Sequence, residues 1–110
     1  MDNHKDDRYY INKIIENANL IMDGMEKVSK DMFDRDSILQ AAMMFYLIQI
    51  SENAKRISEE MQGKYSYIPW SAIFGLRNRV VHDYGNVDLK IVYDTLHDDI
   101  PYLINELDKI

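Results

Sequence analysis

The sequence contains no cysteine, so it can form neither disulfide bonds nor thiolate metal sites. It also lacks a long hydrophobic run, since the longest one, Ala41 to Ile48, is far shorter than the ~20 residues of a membrane span. The first seven residues have no apolar core of the kind found in a secretory signal. We therefore expect a cytoplasmic protein that does not associate with membranes.

Positive charge is also scarce. The chain has 13 lysines and arginines against 19 aspartates and glutamates, which gives a formal net charge of -6. Proteins that hold the phosphate backbone of nucleic acids through bulk charge are usually basic. The balance excludes that class and requires any contact with nucleic acid to be local.

Turn-forming residues are few, with only 4 glycines and 2 prolines. No run of alternating apolar and polar residues between turn signals indicates a strand. The 110 residues suit a single domain, 1–110. Apolar residues at three- and four-residue spacing predict helices over about 7–29, 37–61 and 69–82, and a fourth after Asp88. The sequence thus predicts an all-α, antiparallel four-helix bundle with short extra turns.

Local signals refine these boundaries. Asp36 or Ser37 is expected to cap the second helix, Gly63 to end it, and Asp88 to cap the fourth. Pro101 lies inside the fourth helix, where it removes a backbone hydrogen bond and should bend it.

The second predicted helix changes character along its length. Residues 38–48 are apolar nearly all round, which requires cover from neighbouring helices or from a second subunit. Its second half is polar, and the spacing of Glu52 and Arg56 predicts a surface ion pair.

The stretch from Leu76 to Gly85 is the most unusual part of the chain. At ~100° per residue, Arg77 falls in the middle of the apolar arc of the third predicted helix. A guanidinium there needs a carboxylate, a carbonyl, a bound phosphate or an open cleft. The structural alternative is an ion pair with an acid on a neighbouring helix, for which Glu52 is the candidate.

His82 follows Arg77 by five residues, which places the two side chains about 140° apart on an ideal helix. Both reach one ligand only if Arg77 stretches across, if the last turn unwinds, or if two subunits combine their residues. His82 shares a face with Asn78, which could orient the imidazole. The structural alternatives are an exposed histidine near a helix C-terminus and, for Tyr84, a tyrosine at the edge of the core.

Other chemical signatures are missing. The three histidines, His4, His82 and His97, have no metal-ligand spacing around them, and there is no glycine-rich phosphate loop or nucleophile elbow. We expect neither a metal ion nor a cofactor.

Arg77, four intervening residues, His82, one residue and Tyr84 form the pattern Arg-x4-His-x-Tyr, with Asn78 directly after the arginine. An all-helical chain of this length with that pattern on its third helix resembles the HepT-like (DUF86) toxins of the HEPN superfamily. The resemblance covers essentially the whole chain, including the apolar second helix with its polar tail.

The resemblance implies a homodimer whose two motif-bearing helices face a shared cleft and act as a metal-independent endoribonuclease, the toxin of a type VII toxin–antitoxin system. It makes Arg77 and His82 the catalytic pair, which would drive attack by the RNA 2′-hydroxyl and leave a 2′,3′-cyclic phosphate. Asn78 would orient the site, and Arg79 could touch the RNA backbone.

The resemblance also implies a partner, a nucleotidyltransferase antitoxin of the MntA type that transfers AMP to Tyr84. A bulky anion beside Arg77 would block the site by occupancy and charge. The alternative function is a non-catalytic HEPN interaction module that binds the nucleotidyltransferase or a nucleotide.

Overall fold

The computed structural model describes residues 6–80 and 87–110. Every regular element in these ranges is helical, which confirms the all-α prediction. The elements are α1 (Asp7–Met25), α2 (Lys30–Asp34), α3 (Ser37–Ala54), α4 (Glu59–Lys64), α5 (Trp70–Phe74), α6 (Leu76–Val80), α7 (Leu89–Asp94), a π-helical turn (Thr95–Asp99) and α8 (Ile100–Leu107).

These elements form the four arms of a bundle. The first arm, α1, lies along the second arm, α3, and also contacts α8. The third arm, α5 with α6, packs against α3, and α6 also contacts α7. The fourth arm consists of α7, the π-helical turn and α8. Apolar residues from all four arms meet in one core, where burial removes them from water and stabilises the fold. Its fully buried side chains include Phe33, Ile11, Ile14, Ile21, Leu47, Ile50, Val80, Val92, Ile100 and Leu107.

The first arm is shorter than the periodicity predicts. α1 ends at Met25, and Lys27 then adopts a left-handed backbone conformation with φ 63°. Ser29 caps a further helix, α2, by accepting a hydrogen bond from the amide of Met32 at 3.1 Å. The charged stretch between the first two predicted helices is therefore itself helical.

The second arm begins as predicted but ends early. The Asp36 carboxylate caps α3 by accepting from the amide of Leu39 at 2.9 Å. The helix stops at Ala54 rather than near Met61, and the chain turns through residues 55–58 before α4 begins. Gly63, expected to end the long helix, lies inside α4.

A tertiary contact accounts for the early end of α3. The Asp7 carboxylate accepts hydrogen bonds from the Ser58 amide at 2.7 Å and from the Ser58 hydroxyl at 2.6 Å. Ser58 in turn caps α4 by accepting from the amide of Met61 at 3.1 Å. The first turn of α1 therefore fixes the point at which the chain enters α4.

One side of α3 has no cover among the residues that the structure describes. Ile38 and Phe45 are 82% and 57% exposed, on the side of the helix opposite the buried Met43, Leu47 and Ile50. The sequence predicted that the apolar half of α3 needs cover on more than one side. Among the described residues, only one side of it is covered.

The third predicted helix is two helices. α5 and α6 are separated at Gly75, whose amide donates to the Ser71 carbonyl at 3.2 Å and whose carbonyl accepts from the Arg79 amide at 2.9 Å. Pro69 directly precedes α5, in keeping with its predicted place at a helix start.

The fourth arm follows its pattern closely. The Asp88 carboxylate caps α7 by accepting from the amides of Lys90 and Ile91 at 3.0 and 3.3 Å. The helical path continues across Pro101, and the turn just before it widens into the π-helical Thr95–Asp99. No helix among the described residues is both long enough and apolar enough to cross a bilayer.

Candidate functional site

The described part of the motif lies on α6, which the structure describes over Leu76–Val80. Leu76 and Val80 are buried in the core. Arg77, Asn78 and Arg79 between them are exposed. His82 and Tyr84 lie outside the described residues, so the structure gives no geometry for the pair Arg77 and His82 or for the shared face of Asn78 and His82.

Arg77 is not in the middle of a buried face, as its helical angle predicted. The buried stripe of this arm is narrow and runs through Trp70, Ile73, Leu76 and Val80, so Arg77 lies on its flank in solvent. Within residues 6–80 and 87–110 its guanidinium forms no ion pair. Because the Arg77 guanidinium stays in water in a single chain, no desolvation free energy opposes its position.

The predicted ion pair of Glu52 with Arg56 is wrong, and the alternative pair of Glu52 with Arg77 does not form. Glu52 accepts from Lys55 at 3.3 Å, at i, i+3, rather than from Arg56 or Arg77. Because α3 ends at Ala54, Arg56 lies in the following turn and no longer shares the helical face of Glu52. Arg77 is thereby left available to a ligand.

A buried hydroxyl fixes the start of α6. Ser51, which is fully buried in α3, donates a hydrogen bond to the carbonyl oxygen of Phe74 at 2.9 Å. Phe74 is the last residue of α5, and helix ends leave carbonyl groups without helical partners. The bond satisfies one of these carbonyls and locates the break at Gly75 from which α6 begins.

Arg79 makes a polar contact between α6 and the fourth arm. Its guanidinium Nη2 donates to Asp99 Oδ2 at 3.2 Å and to Thr95 Oγ1 at 3.4 Å. Both acceptors belong to the π-helical turn of the fourth arm. The exposed strip of Arg77 and Asn78 is therefore carried by a helix that Arg79 joins to the fourth arm.

Comparisons with known proteins identify the family of the chain. The model of the family described as "Ribonuclease HepT-like" matches residues 11–110. The chain belongs to the HepT-like family.

Relatives across most of the chain agree with the family match. The chain is 28% identical over 106 residues to a protein named "Putative RNase" of Caldanaerobacter subterraneus subsp. tengcongensis, covering 96% of this chain and 95% of the relative. It is 30% identical over 106 residues to a "Putative RNase" of Methanocaldococcus jannaschii, covering 96% and 88%. It is 29% identical over 107 residues to the "Probable ribonuclease HepT" of Thermococcus cleftensis, covering 97% and 94%. No solved structure matches the chain.

In this HepT-like chain a groove of about 320 Å³ separates the third arm from α8. Its walls are mainly apolar and include Ile73, Leu76 and Leu103, while Arg79 and Asp99 form a polar end. A second cavity, of about 310 Å³, lies between α1 and the fourth arm and is bordered by His97. The motif arm is therefore not fully packed against its neighbour on the side away from Arg77.

His97, unlike His82, can be placed. Its ring stacks on Tyr93 with centroids 5.6 Å apart, and its Nδ1 lies 2.8 Å from Asp98 Oδ1. No group of three or more histidine, aspartate or glutamate side chains in the described ranges is arranged to hold a metal ion.

Sequence reasoning missed three residues that shape this HepT-like site, namely Ser51, Thr95 and Asp99. Ser51 and Thr95 are polar residues at positions where helical spacing favours an apolar one, since they follow the buried Leu47 and Val92 by four and three residues. That spacing is the signal that could have identified both. Asp99 has no such signal, because its acceptor role depends on the widened turn.

Proposed function

We propose that this protein is a metal-independent endoribonuclease and the toxin of a type VII toxin–antitoxin system. The observation that carries the proposal is the exposed strip of α6, where Arg77 and Asn78 of the Arg-x4-His-x-Tyr motif face solvent while Leu76 and Val80 anchor the helix in the core. Membership of the HepT-like ribonuclease family supports the reaction class.

The proposed chemistry assigns one role to each motif residue. His82 removes the proton from the RNA 2′-hydroxyl, whose oxygen then attacks the adjacent phosphorus and breaks the bond to the 5′-oxygen of the next nucleotide. The leaving 5′-oxygen takes up a proton from water, and His82 returns its own proton to water. Arg77 stabilises the negative charge that develops on the phosphate oxygens. Asn78 orients the site. The products are a 2′,3′-cyclic phosphate and a free 5′-hydroxyl, and DNA is not cleaved because it lacks the nucleophile.

The proposed assembly is a homodimer with both α6 helices at one cleft. One observation supports the dimer. Ile38 and Phe45 leave an exposed apolar face on α3, a surface that a second copy would remove from water.

The proposed regulation is transfer of AMP to the Tyr84 hydroxyl by an MntA-type nucleotidyltransferase antitoxin. The added phosphate would lie two residues from His82 and would compete with RNA for Arg77. The modified tyrosine would then belong to the catalytic site that the modification regulates.

One observation favours a second function. A net charge of -6 gives little general attraction for RNA, which suits a non-catalytic HEPN module that binds the nucleotidyltransferase or a nucleotide. Under that function the exposed Arg77 binds a phosphate group without any reaction.

RNA cleavage by the purified protein in excess EDTA separates the two functions. We expect the wild type to produce RNA ends with a 2′,3′-cyclic phosphate, and His82→Ala and Arg77→Ala to produce none. The matched control is His97→Ala, which removes a histidine held by Tyr93 and Asp98 on the fourth arm and should cleave like the wild type. Cleavage that persists in His82→Ala, or its absence in the wild type, would overturn the ribonuclease proposal.

Co-expression with the nucleotidyltransferase tests the regulation. The intact mass of the recovered protein should increase by one or more AMP groups, and Tyr84→Phe should remove the increase. Tyr102→Phe is the control, because this tyrosine is exposed but lies on α8, outside the motif sequence. An unchanged mass with the wild type would contradict the modification.

A further inference from the structure

Arg77 and Arg79 lie on the same helix, α6, but have different surroundings. Two residues apart, they point about 200° from each other and lie on opposite flanks of the buried stripe of Leu76 and Val80. Arg77 faces solvent without an ion-pair partner among the described residues, whereas Arg79 faces the fourth arm and bonds to it. The two guanidinium groups are therefore not equivalent candidates for binding RNA.

The acceptors of Arg79 are the first and last residues of the π-helical turn, Thr95 and Asp99. The Thr95 side chain is fully buried, and its hydroxyl donates to the Ile91 carbonyl at 2.9 Å. Because the hydroxyl proton is used in that bond, the Thr95 oxygen acts only as an acceptor toward Arg79. Asp99 adds a carboxylate at the rim of the groove, so the turn offers one neutral and one charged acceptor.

Helix α6 depends on such contacts. Helices in proteins gain most of their stability from packing against the rest of the fold rather than from their own backbone hydrogen bonds. The buried Leu76 and Val80 fix the depth of α6 in the core, but apolar contacts are not directional. The hydrogen bonds of Arg79 supply the missing direction and fix the rotation of the helix about its axis.

We propose that Arg79 is a positioning residue, which locks α6 onto the π-helical turn through Thr95 and Asp99 and thereby aims Arg77 and Asn78 at the substrate. This inference rests on the proposed ribonuclease function. It assigns Arg79 an inward role in place of the contact with the RNA backbone that the sequence suggested. Its effect on the reaction passes through Arg77, so a loss of Arg79 changes the rate at saturation rather than RNA binding.

Asp99→Asn tests the assignment because the two roles predict opposite changes in kcat/KM. If Arg79 bound RNA, this variant would free it from its carboxylate and remove a negative charge, and the KM for an RNA oligonucleotide would fall. If Arg79 positions the helix, kcat falls by about tenfold with KM within about twofold, since a small misplacement of a catalytic group costs rate. Asp98→Asn is the matched control: it removes the same charge one residue away, from a carboxylate that faces His97.

Thr95 provides an independent variant without a charge change. Thr95→Val keeps the shape but removes the acceptor, and we expect a fall in kcat of about threefold to tenfold. Thr95→Ser restores the hydroxyl and should recover most of the rate. Arg79 and Asp99 are 44% and 51% exposed, so their ion pair adds little to global stability and the variants should remain folded. Thermal unfolding followed by circular dichroism checks this.

Amide hydrogen exchange separates a failure of this inference from a failure of the proposed function. The Arg79 amide bonds to the Gly75 carbonyl at 2.9 Å, and its exchange should accelerate in Asp99→Asn but not in Asp98→Asn. If the wild type cleaves RNA while Asp99→Asn matches it in kcat and exchange, Arg79 is not a positioning residue. If the wild type does not cleave RNA, the function fails, and unchanged exchange in Asp99→Asn then rejects the lock as well.

Discussion

The hydroxyl of Ser51 and the carbonyl of Phe74 are hydrogen-bonded across 2.9 Å between the second and third arms. The two residues are 23 positions apart, and Ser51 is completely buried. This bond joins α3 to the residue just before the break at Gly75, so the stability of the bundle and the location of α6 depend on the same hydroxyl.

Ser51→Ala should lower the free energy of unfolding by about 1–2 kcal/mol, because it leaves the Phe74 carbonyl without its partner in the core. Chemical denaturation gives the value. Ser71→Ala is the control on α5, where the serine is exposed and the change should stay within about 0.5 kcal/mol. Equal effects of the two substitutions would show that the buried bond contributes nothing.

Asp7→Ala should destabilise the protein by about 1–2 kcal/mol, since the Asp7 carboxylate accepts two hydrogen bonds from Ser58. The amides of α4 should also exchange faster with solvent in this variant. Asp31→Ala serves as the comparison, because its ion pair with Arg35 is between two strongly exposed side chains. A smaller loss for Asp7→Ala than for Asp31→Ala would contradict the prediction.

Lys27→Gly should raise the midpoint of thermal unfolding by about 4 °C. Lys27 has φ 63°, a conformation that costs a side-chain-bearing residue about 1 kcal/mol and glycine very little. Lys27→Ala removes the same charge and long side chain but keeps a Cβ, so it should give no such increase. An identical rise in both variants would assign the gain to the lost side chain and not to the backbone.

Phe45→Glu combined with Ile38→Glu should convert the proposed homodimer into a monomer. These two side chains are the most exposed apolar groups of α3, and a carboxylate on each would oppose burial of that face by a second copy. Sedimentation equilibrium measures the change. Tyr102→Glu places the same charge on an exposed apolar residue of α8 and should leave the assembly intact. A dimer that survives the double substitution places the interface elsewhere.

High pH should weaken the end of the fourth arm. The hydrogen bond from Lys109 Nζ to the largely buried Glu106, at 2.7 Å, raises the pKa of Lys109 above its usual 10.5. A raised pKa in the folded state means that the stabilisation is complete below pH 10.5 and is lost as pH rises through the folded value. Lys109→Met should therefore be less stable than the wild type at neutral pH, and the difference should shrink in strongly alkaline solution. A constant difference would contradict the linkage.

Much of the architecture could be predicted from the sequence because its signals are local. Asp36 and Asp88 precede apolar periodic segments, and both cap helices as predicted. The spacing of Val92, Leu96 and Ile100 gave the buried face of the fourth arm correctly. Such features depend on a few neighbouring residues, which the sequence shows directly.

Other features depended on contacts between distant residues. The polar stretch after Ser51 favours helix by composition, yet α3 stops at Ala54 because Ser58 is held by Asp7, 51 residues earlier. The helical angle of Arg77 suggested burial, but the buried stripe is narrower than the apolar arc. For the site itself, periodicity singled out Arg77 alone, and only the family pattern indicated His82 and Tyr84, which lie outside the described residues.

The positions of Thr95 and Asp99, 16 and 20 residues after Arg79, also have a consequence for protein synthesis. The ribosome completes the whole Arg-x4-His-x-Tyr motif before it adds either residue that orients α6. A nascent chain, or a product truncated after residue 94, would carry every proposed catalytic side chain without the turn that aims them. The cell would thus be exposed to an active nuclease only after the last arm had been translated and folded.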